Sequence, residues 1–234
     1  MRPICFLSDF GFAGDFVGTC KGVIAGIAPG VPVIDVTHDV PEFDIESGAE
    51  ILQHATRYMP EGAVYLAVVD PGVGTGRRAL ALRTREGSFL VGPDNGLLVP
   101  AASHLGGVSK AVELTDDRYL RHPVSSTFHG RDIFAPAAAY LAAETEMSEL
   151  GLRVDPDSLV PLALPGVEAG PDATYKARLL DLARYGNARL SVLAEELSLE
   201  YGAPLEVDCG DGEMPVRYCA TFGDANAGEL VLVT

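Results

Sequence analysis

The segment Pro3-Ile-Cys-Phe-Leu-Ser-Asp9-Phe-Gly11, with the apolar residues Phe16, Cys20, Val23, Ile24 and Ile27 that follow it, decides the fold. The run from Pro3 has the continuity of a strand buried on both faces, and it empties into a polar loop at Ser8-Asp9. The five residues beyond it recur at helical spacing until Pro29-Gly30 stops the pattern. Val33 to Val36 then reads as a second buried strand, completing a β-α-β unit. A second predicted helix carries Ile45, Ala49, Leu52 and Met59 on one face, and the apolar run Ala63 to Val69 is a further buried strand ending at Asp70. Strands that alternate with helices predict an α/β domain built on a mostly parallel sheet covered on both faces.

Past Asp70 the chain runs through the Gly-rich loop Pro71-Gly-Val-Gly-Thr-Gly-Arg77 to two short strands around Leu80 and Phe89. Val91-Gly-Pro-Asp-Asn-Gly-Leu-Leu98 reads as a tight turn into a short helix. A strand near Val112 leads by a polar loop to Thr127-Phe-His-Gly-Arg-Asp132, and Ala-rich helical sequence runs on to Glu146, with Pro136 bending it near its start. Between Pro156 and Pro171 stand six Pro or Gly residues without periodicity, the texture of a linker. Beyond it, Lys176 to Leu182, Ala188 to Val192, Leu205 to Cys209, Val216 to Phe222 and Leu230 to Val233 are short strand-like runs between Gly and Asp turns; only Ala194 to Glu200 has helical character. The expected organisation is an α/β domain over 1–158, a linker over 159–173 and a small all-β domain over 174–234.

Composition sets the outer limits. The 234 residues are 47% hydrophobic and 21% charged, which excludes disorder, and they fill a sizeable core. Thirty-three acidic residues against 17 basic ones give a net charge of −16, which opposes binding to nucleic acid and to anionic membranes. Cys5, Cys20, Cys209 and Cys219 are too scattered for a disulfide framework and form no metal-ligand spacing, so core or free thiols are expected. The N-terminal apolar run is too short for a signal segment, and no stretch approaches the ~20 apolar residues of a membrane span, so a cytoplasmic location is expected.

Few residues recommend themselves for chemistry on residue type alone. The Gly-rich loop after Asp70 lacks the Gly-Lys-Ser/Thr end of a phosphate-binding loop. Asp9 and Asp70 end predicted parallel strands, on the side where open α/β sheets bind ligands, although turn and cap aspartates occupy the same places. His129 lies between Phe128 and Gly130 ahead of a predicted helix, placed either to enter a cleft or to cap and pack. His38, His54, His104 and His122 show no partner pattern in the sequence, and Asn187 in Tyr185-Gly-Asn187 has the form of a turn residue.

Taken together, Ser8-Asp-Phe-Gly11, Val69-Asp-Pro-Gly-Val-Gly-Thr-Gly-Arg77, Val91-Gly-Pro-Asp-Asn-Gly-Leu-Leu98 and Phe128-His-Gly-Arg-Asp132 resemble, in order, the signature segments of the S-adenosyl-L-methionine (SAM) hydroxide adenosyltransferases, relatives of the fluorinase and chlorinase. The resemblance implies a Rossmann-like N-terminal domain, a barrel-like C-terminal β domain, and a homotrimer with substrate at the junction of neighbouring subunits. It implies the reaction of SAM with water to give adenosine and L-methionine, with SAM as substrate and no cofactor or metal. The family's water-binding Asp, Arg and His fall on Asp70, Arg77 and His129, a trio that the halogenases lack. Asp9 falls on the aspartate that holds the ribose hydroxyls, Phe43 and Phe128 on positions beside the substrate, and Tyr185 and Asn187 on the aromatic and amide that meet adenine.

Two departures from the family pattern stand out. Ala183 occupies the position of the aspartate that holds the methionine amine, with Asp181 one strand period upstream, ~6–7 Å away. The chain stops at Val233-Thr234, before the Ser-Gly and Ile-Ala strand that completes the family's pocket, so either a fragment or an incomplete substrate site is expected. Two alternatives therefore stand beside hydrolysis: halide transfer to C5′, for which Gly130 leaves room but which a carboxylate at Asp70 opposes, and binding of SAM or a nucleoside without turnover.

Overall fold

A computed structural model describes residues 1–164 throughout and, beyond them, all but 165–167, 171–173, 178, 183–184, 193–196, 198, 211 and 234. It divides into two compact units, Met1–Leu164 and Pro165–Thr234. The first unit is built from β1 (Ile4–Ser8), α1 (Phe16–Ile27), β2 (Val33–Thr37), α2 (Ile45–Ala55), β3 (Val64–Val68), β4 (Ala79–Thr84), β5 (Phe89–Pro93), α3 (Val99–His104), β6 (Val108–Leu114), α4 (Ala135–Ala142) and β7 (Gly151–Val154). Its seven strands form one sheet in the order β2-β1-β3-β5-β4-β6-β7.

The strand alternation explains why both faces of this sheet are covered. Along β1, Ile4 and Phe6 point into one apolar cluster and Cys5 and Leu7 into another; β3 does the same with Leu66 and Val68 against Tyr65 and Ala67. Helices α1 and α4 bring Cys20, Ile24, Ala138 and Leu141 to the first cluster, while α2 and α3 bring Ala49, Leu52, Ala101 and Ala102 to the second. Burial is complete enough to push the Cys5 thiol up to about 11 and the Cys20 thiol to about 12.

The mixed α/β architecture and the predominance of one strand direction agree with the sequence: β2, β1, β3 and β5 are mutually parallel, and β6 shares their direction. The alternation does not foretell that β4 and β7 run the other way, which makes the pairings from β5 to β7 antiparallel. For β4 against β5 the cause is loop length, since the turn from Thr84 to Ser88 leaves no room for the helical crossover that a parallel pair needs. Three further expectations are corrected. Strand β2 is half-buried, because it forms the sheet edge and pairs only with β1. Helix α2 ends at Ala55, short of Met59, and α4 ends at Ala142, short of Glu146. At the start of α4 a π-helical turn, Gly130–Phe134, precedes Pro136. Proline has no N–H for the carbonyl four residues back, and that carbonyl, of Asp132, accepts instead from the Arg121 amide at 2.8 Å.

In the second unit the described elements are strands and one short 3₁₀ turn, Phe222–Asp224. β8 (Glu168–Ala169) pairs with β9 (Tyr175–Lys176), β10 (Leu179–Leu182) with β11 (Ala188–Leu190), and β12 (Pro204–Asp208), β13 (Glu213–Tyr218) and β14 (Val231–Leu232) form a three-stranded sheet. The expected helix over Ala194 to Glu200 falls largely outside the described residues, as does Ala183. Among the described residues no helix is long and apolar enough to cross a membrane. The cysteines are free thiols, with Cys209 exposed and the other three buried.

Gly92 marks a close contact between β5 and β3: a Cβ there would lie 2.3 Å from the Ala67 carbonyl oxygen. Gly92→Ala should therefore lower the stability of the first unit by more than about 2 kcal/mol in chemical denaturation. Gly26→Ala, on an exposed turn of α1 with open space around it, should raise it by up to about 1 kcal/mol.

Candidate active site

Three loops meet at one end of the sheet: Ser8–Gly11 after β1, Asp70–Arg77 after β3, and Thr127–Gly130 ahead of α4. Glycines let them approach. Gly74 has φ +76°, and a Cβ on it would lie 2.2 Å from the Ser126 carbonyl oxygen, so the Asp70 loop rests directly on the backbone of the His129 loop. A Cβ on Gly130 would come within 2.9 Å of the Phe10 ring, which ties the first loop to the third. Phe10, Phe16 and Phe128 complete the junction with edge-to-face contacts at 4.9–5.9 Å between centroids. The start of the Asp70 loop is fixed from β5's side: Asn95 Nδ2 donates to the Val69 carbonyl at 2.9 Å, and the Asn95 side chain also accepts from the Leu97 amide at 3.2 Å. Neighbouring Asp94 accepts from Arg78 Nε at 2.7 Å and from the Val160 amide at 3.0 Å. The Asp-Asn pair of the third signature segment thus builds the site's support.

The structure brings Asp70, Arg77 and His129 together. Both Asp70 and Arg77 side chains are largely buried, at 6% and 10% exposure. Arg77 Nε donates to Asp70 Oδ1 at 2.9 Å and Oδ2 at 3.0 Å, and one terminal nitrogen of the guanidinium donates to Asp70 Oδ2 as well. That same nitrogen lies 2.8 Å from His129 Nδ1, and the other donates to the Arg78 carbonyl at 3.3 Å. The guanidinium also lies over the Phe134 ring at 5.1 Å.

A guanidinium has no acceptor, so its bond to His129 defines the imidazole: Nδ1 is bare and accepts, and Nε2 carries the hydrogen. Burial, and after it the Arg77 charge, hold this imidazole below its ordinary range against the opposing pull of Asp70 and Asp132, so it is neutral near pH 7. The trio therefore presents an imidazole N–H donor and a carboxylate with lone pairs to spare, fixed by one cation between them. Arg77 itself keeps little donor capacity beyond this bracket.

The loop under His129 is held by Asp132, fully buried. Its carboxylate accepts from Arg131 at 2.6 and 2.7 Å, from Arg121 at 3.2 Å and from the Ser125 amide at 2.9 Å. Burial raises this carboxyl, but Arg131, the Ser125 amide and Arg121 outweigh it and leave it below its ordinary range.

Asp9 and Phe43 are also brought together. The Phe43 amide donates to Asp9 Oδ2 at 3.0 Å, and Phe43 adopts φ +63°, a left-handed conformation costing about 1–3 kcal/mol for a bulky residue. Its ring is 63% exposed. Burial pushes the Asp9 carboxyl above its ordinary range, the Phe43 and Asp9 amides pull it back, and the charges of Asp70 and Glu42 add to the rise, so the Asp9 and Asp70 carboxylates sense one another. Tyr185 and Asn187 belong to the second unit, on the turn joining β10 to β11, both exposed and Tyr185 almost fully so. Asp181, on β10, pairs in register with Arg189. His38, for which the sequence offers no partner, is fully buried and hydrogen-bonded to Ser8 and Asp35; the only sequence signal is an Asp and a His three residues apart at a strand end. Among the described residues no three His, Cys, Asp or Glu side chains are grouped to hold a metal ion.

Comparison with known proteins is consistent with this geometry. Residues 4–151 match the model of the SAM hydroxide adenosyltransferase N-terminal domain. The chain is 47% identical over 98% of its length, and 85% of the relative's, to a protein of Salinispora tropica named (R)-S-adenosyl-L-methionine hydrolase. A protein of Thermus thermophilus with the same name is 42% identical over 99% of this chain and 87% of its own. A fluorinase of Nocardia brasiliensis is more distant, 28% identical over 98% of this chain and 85% of its own. Among solved structures, an uncharacterized conserved protein from Thermotoga maritima superposes with a TM-score of 0.90 at 32% identity, covering 98% of this chain and 88% of that one.

The bracket geometry makes a spectroscopic prediction. By NMR titration, His129 should titrate below the ordinary value of about 6.5. Arg77→Met removes the nearby cation and frees Asp70, so the His129 pKa should rise; an unchanged value would show that Arg77 does not set its protonation.

Proposed function

The chain belongs to the SAM hydroxide adenosyltransferase family, and from that membership we propose that it hydrolyses S-adenosyl-L-methionine to adenosine and L-methionine with a water held by Asp70 and His129. The observation that carries this reading is the Arg77 bracket, which sets a carboxylate and an imidazole N–H side by side where the β3 strand ends. The relatives' names specify the (R) configuration at sulfur, and we extend that preference to this chain.

Sulfonium is already a good leaving group, so the residues need only hold the nucleophile in line and away from bulk water. In the proposed step the water oxygen bonds to C5′ while the C5′–S bond breaks and its electron pair returns to sulfur as the thioether of methionine. The water gives up one proton, first to Asp70 and then to solvent. His129 Nε2–H donates to the oxygen and steadies its hydroxide character, and Arg77 keeps both partners in place. Positioned base assistance is worth about 10² to 10⁴ in rate, and orientation supplies much of the remainder.

Around this centre, Asp9 holds the ribose hydroxyls, Phe43 and Phe128 flank the substrate, and Tyr185 and Asn187 meet adenine. The same reading gives a cytoplasmic homotrimer, with 159–173 linking the α/β domain to a barrel-like domain over 174–234. A carboxylate at Asp70 disfavours a halide at the same place, because two anions would be brought together with little water between them.

Incubation with SAM, with and without chloride, should yield adenosine and methionine in equal amounts from the (R) epimer. A 5′-chlorinated nucleoside as the main product would establish halide transfer, and binding without products would establish a SAM-binding protein. Asp70→Ala and His129→Ala should each lower kcat by about 10²-fold or more with SAM affinity within a few-fold, whereas Asp9→Ala should chiefly weaken binding. Affinity falling in step with rate would mean that the trio shapes the pocket and does not act on the transition state.

A further inference from the structure

The proposed reaction leaves His38 unused, although it is among the most constrained polar side chains of the first unit. Its imidazole is fully buried, edge-to-face with Phe6 at 4.5 Å and with Phe12 at 5.1 Å between centroids. Nε2 lies 3.1 Å from Asp35 Oδ1, and Asp35 Oδ2 accepts from Lys21 Nζ at 2.6 Å. Nδ1 lies 2.7 Å from the Ser8 hydroxyl, which in turn accepts weakly from the Phe10 amide at 3.4 Å.

The protons in this chain can be assigned. Burial raises the Asp35 carboxyl, but its bonds to Lys21 and His38 outweigh that and keep it below its ordinary range, so it is an acceptor only. His38 Nε2 must then carry the hydrogen. Burial also lowers the imidazole below its ordinary range, so Nδ1 is bare and accepts from the Ser8 hydroxyl. The main chain of the same residue makes a second anchor: the His38 carbonyl accepts from the Gly11 amide at 2.7 Å. His38 thus grips Ser8 with its ring and Gly11, at φ +65°, with its backbone. Asp9 stands between the two grips, and its Oδ2 receives the Phe43 amide.

We propose that His38, oriented by Asp35 and Lys21, is a positioning residue that holds the Ser8–Gly11 turn so that the Asp9 carboxylate is set for the two hydroxyls of the substrate's ribose. This rests on the ribose role of Asp9 proposed above. A histidine serving the core alone would need neither bond to the turn, and an apolar side chain would fill the space between Phe6 and Phe12 without burying two polar nitrogens. The ring's hydrogen bonds end on the turn that carries Asp9 at one side and on a helix-anchored carboxylate at the other, which is the arrangement of a brace.

The test compares the affinities of adenosine and 2′,3′-dideoxyadenosine by calorimetry in Ser8→Ala, His38→Gln, Ser8→Thr and Asp9→Ala, with kcat measured at saturating SAM. The preference for adenosine should fall about tenfold in Ser8→Ala and His38→Gln, with dideoxyadenosine affinity and kcat within about threefold of the unmutated protein; Ser8→Thr, which keeps the hydroxyl, should retain the preference. Adding Ser8→Ala or His38→Gln to Asp9→Ala should cost no further preference, because both changes act through one carboxylate. The Phe43 amide resonance should shift in Ser8→Ala, reporting a displaced Asp9 without any ligand. If Asp9→Ala abolishes the preference while Ser8→Ala and His38→Gln keep it, or weaken both nucleosides equally, the positioning role is wrong. If Asp9→Ala itself keeps the preference, the ribose role of Asp9 is wrong and the inference falls with it.

Discussion

A single guanidinium, that of Arg77, joins a carboxylate at the end of one strand to an imidazole on a loop ahead of a helix, and the proposed chemistry depends on that bridge. A buried carboxylate without a partner would be costly, and an imidazole in the same pocket would be free to turn or to change protonation state. With Arg77 between them each fixes the other. Asp70 is committed as an acceptor, His129 is committed to one tautomer, and the distance between their outward-facing atoms is set by a rigid planar group. The bridge is possible only because Gly74 lets one loop lie against the other's backbone, where any side chain would collide with the Ser126 carbonyl.

The remaining supports act on this bridge from outside. Asn95 pins the carbonyl just before Asp70, Asp132 gathers Arg121, Arg131 and the Ser125 amide beneath His129, and Gly130 admits the Phe10 ring. Each is a polar or steric contact between segments distant in sequence. The fold supplies them because parallel strands deliver their C-terminal loops to one edge of the sheet.

Much of this was legible in the sequence. Continuous apolar runs located β1 and β3, helical spacing located α1, and the positions of Asp9 and Asp70 at strand ends followed directly. What periodicity does not carry is direction and contact. It finds the strands around Leu80 and Phe89 without saying that the tight turn between them reverses the chain, and it extends α4 to Glu146 because no Gly or Pro marks a stop there, although the backbone turns away at Glu144, with φ +69°. Asp70 read equally as a turn aspartate or a functional one, and it is both: its carbonyl closes the turn at Val73 while its carboxylate meets Arg77. His38 is hard to read for a different reason: Asp35, three residues away, is its one local signal, and Ser8 lies on a neighbouring strand whose register only the folded sheet defines. For His129, the flanking glycine and the resemblance of its segment were the available signals, and the tautomer that defines its chemistry came only with the distance to Arg77.

In the proposed reaction an oxygen held between Asp70 and His129 attacks C5′ of the substrate. A single turnover in ¹⁸O-enriched water, with the products resolved by mass spectrometry, tests it most directly. The label should appear in adenosine at the 5′ oxygen and nowhere in methionine. Unlabelled adenosine, or label carried by a fragment of the amino-acid chain, would place the bond-forming oxygen elsewhere and contradict the claim.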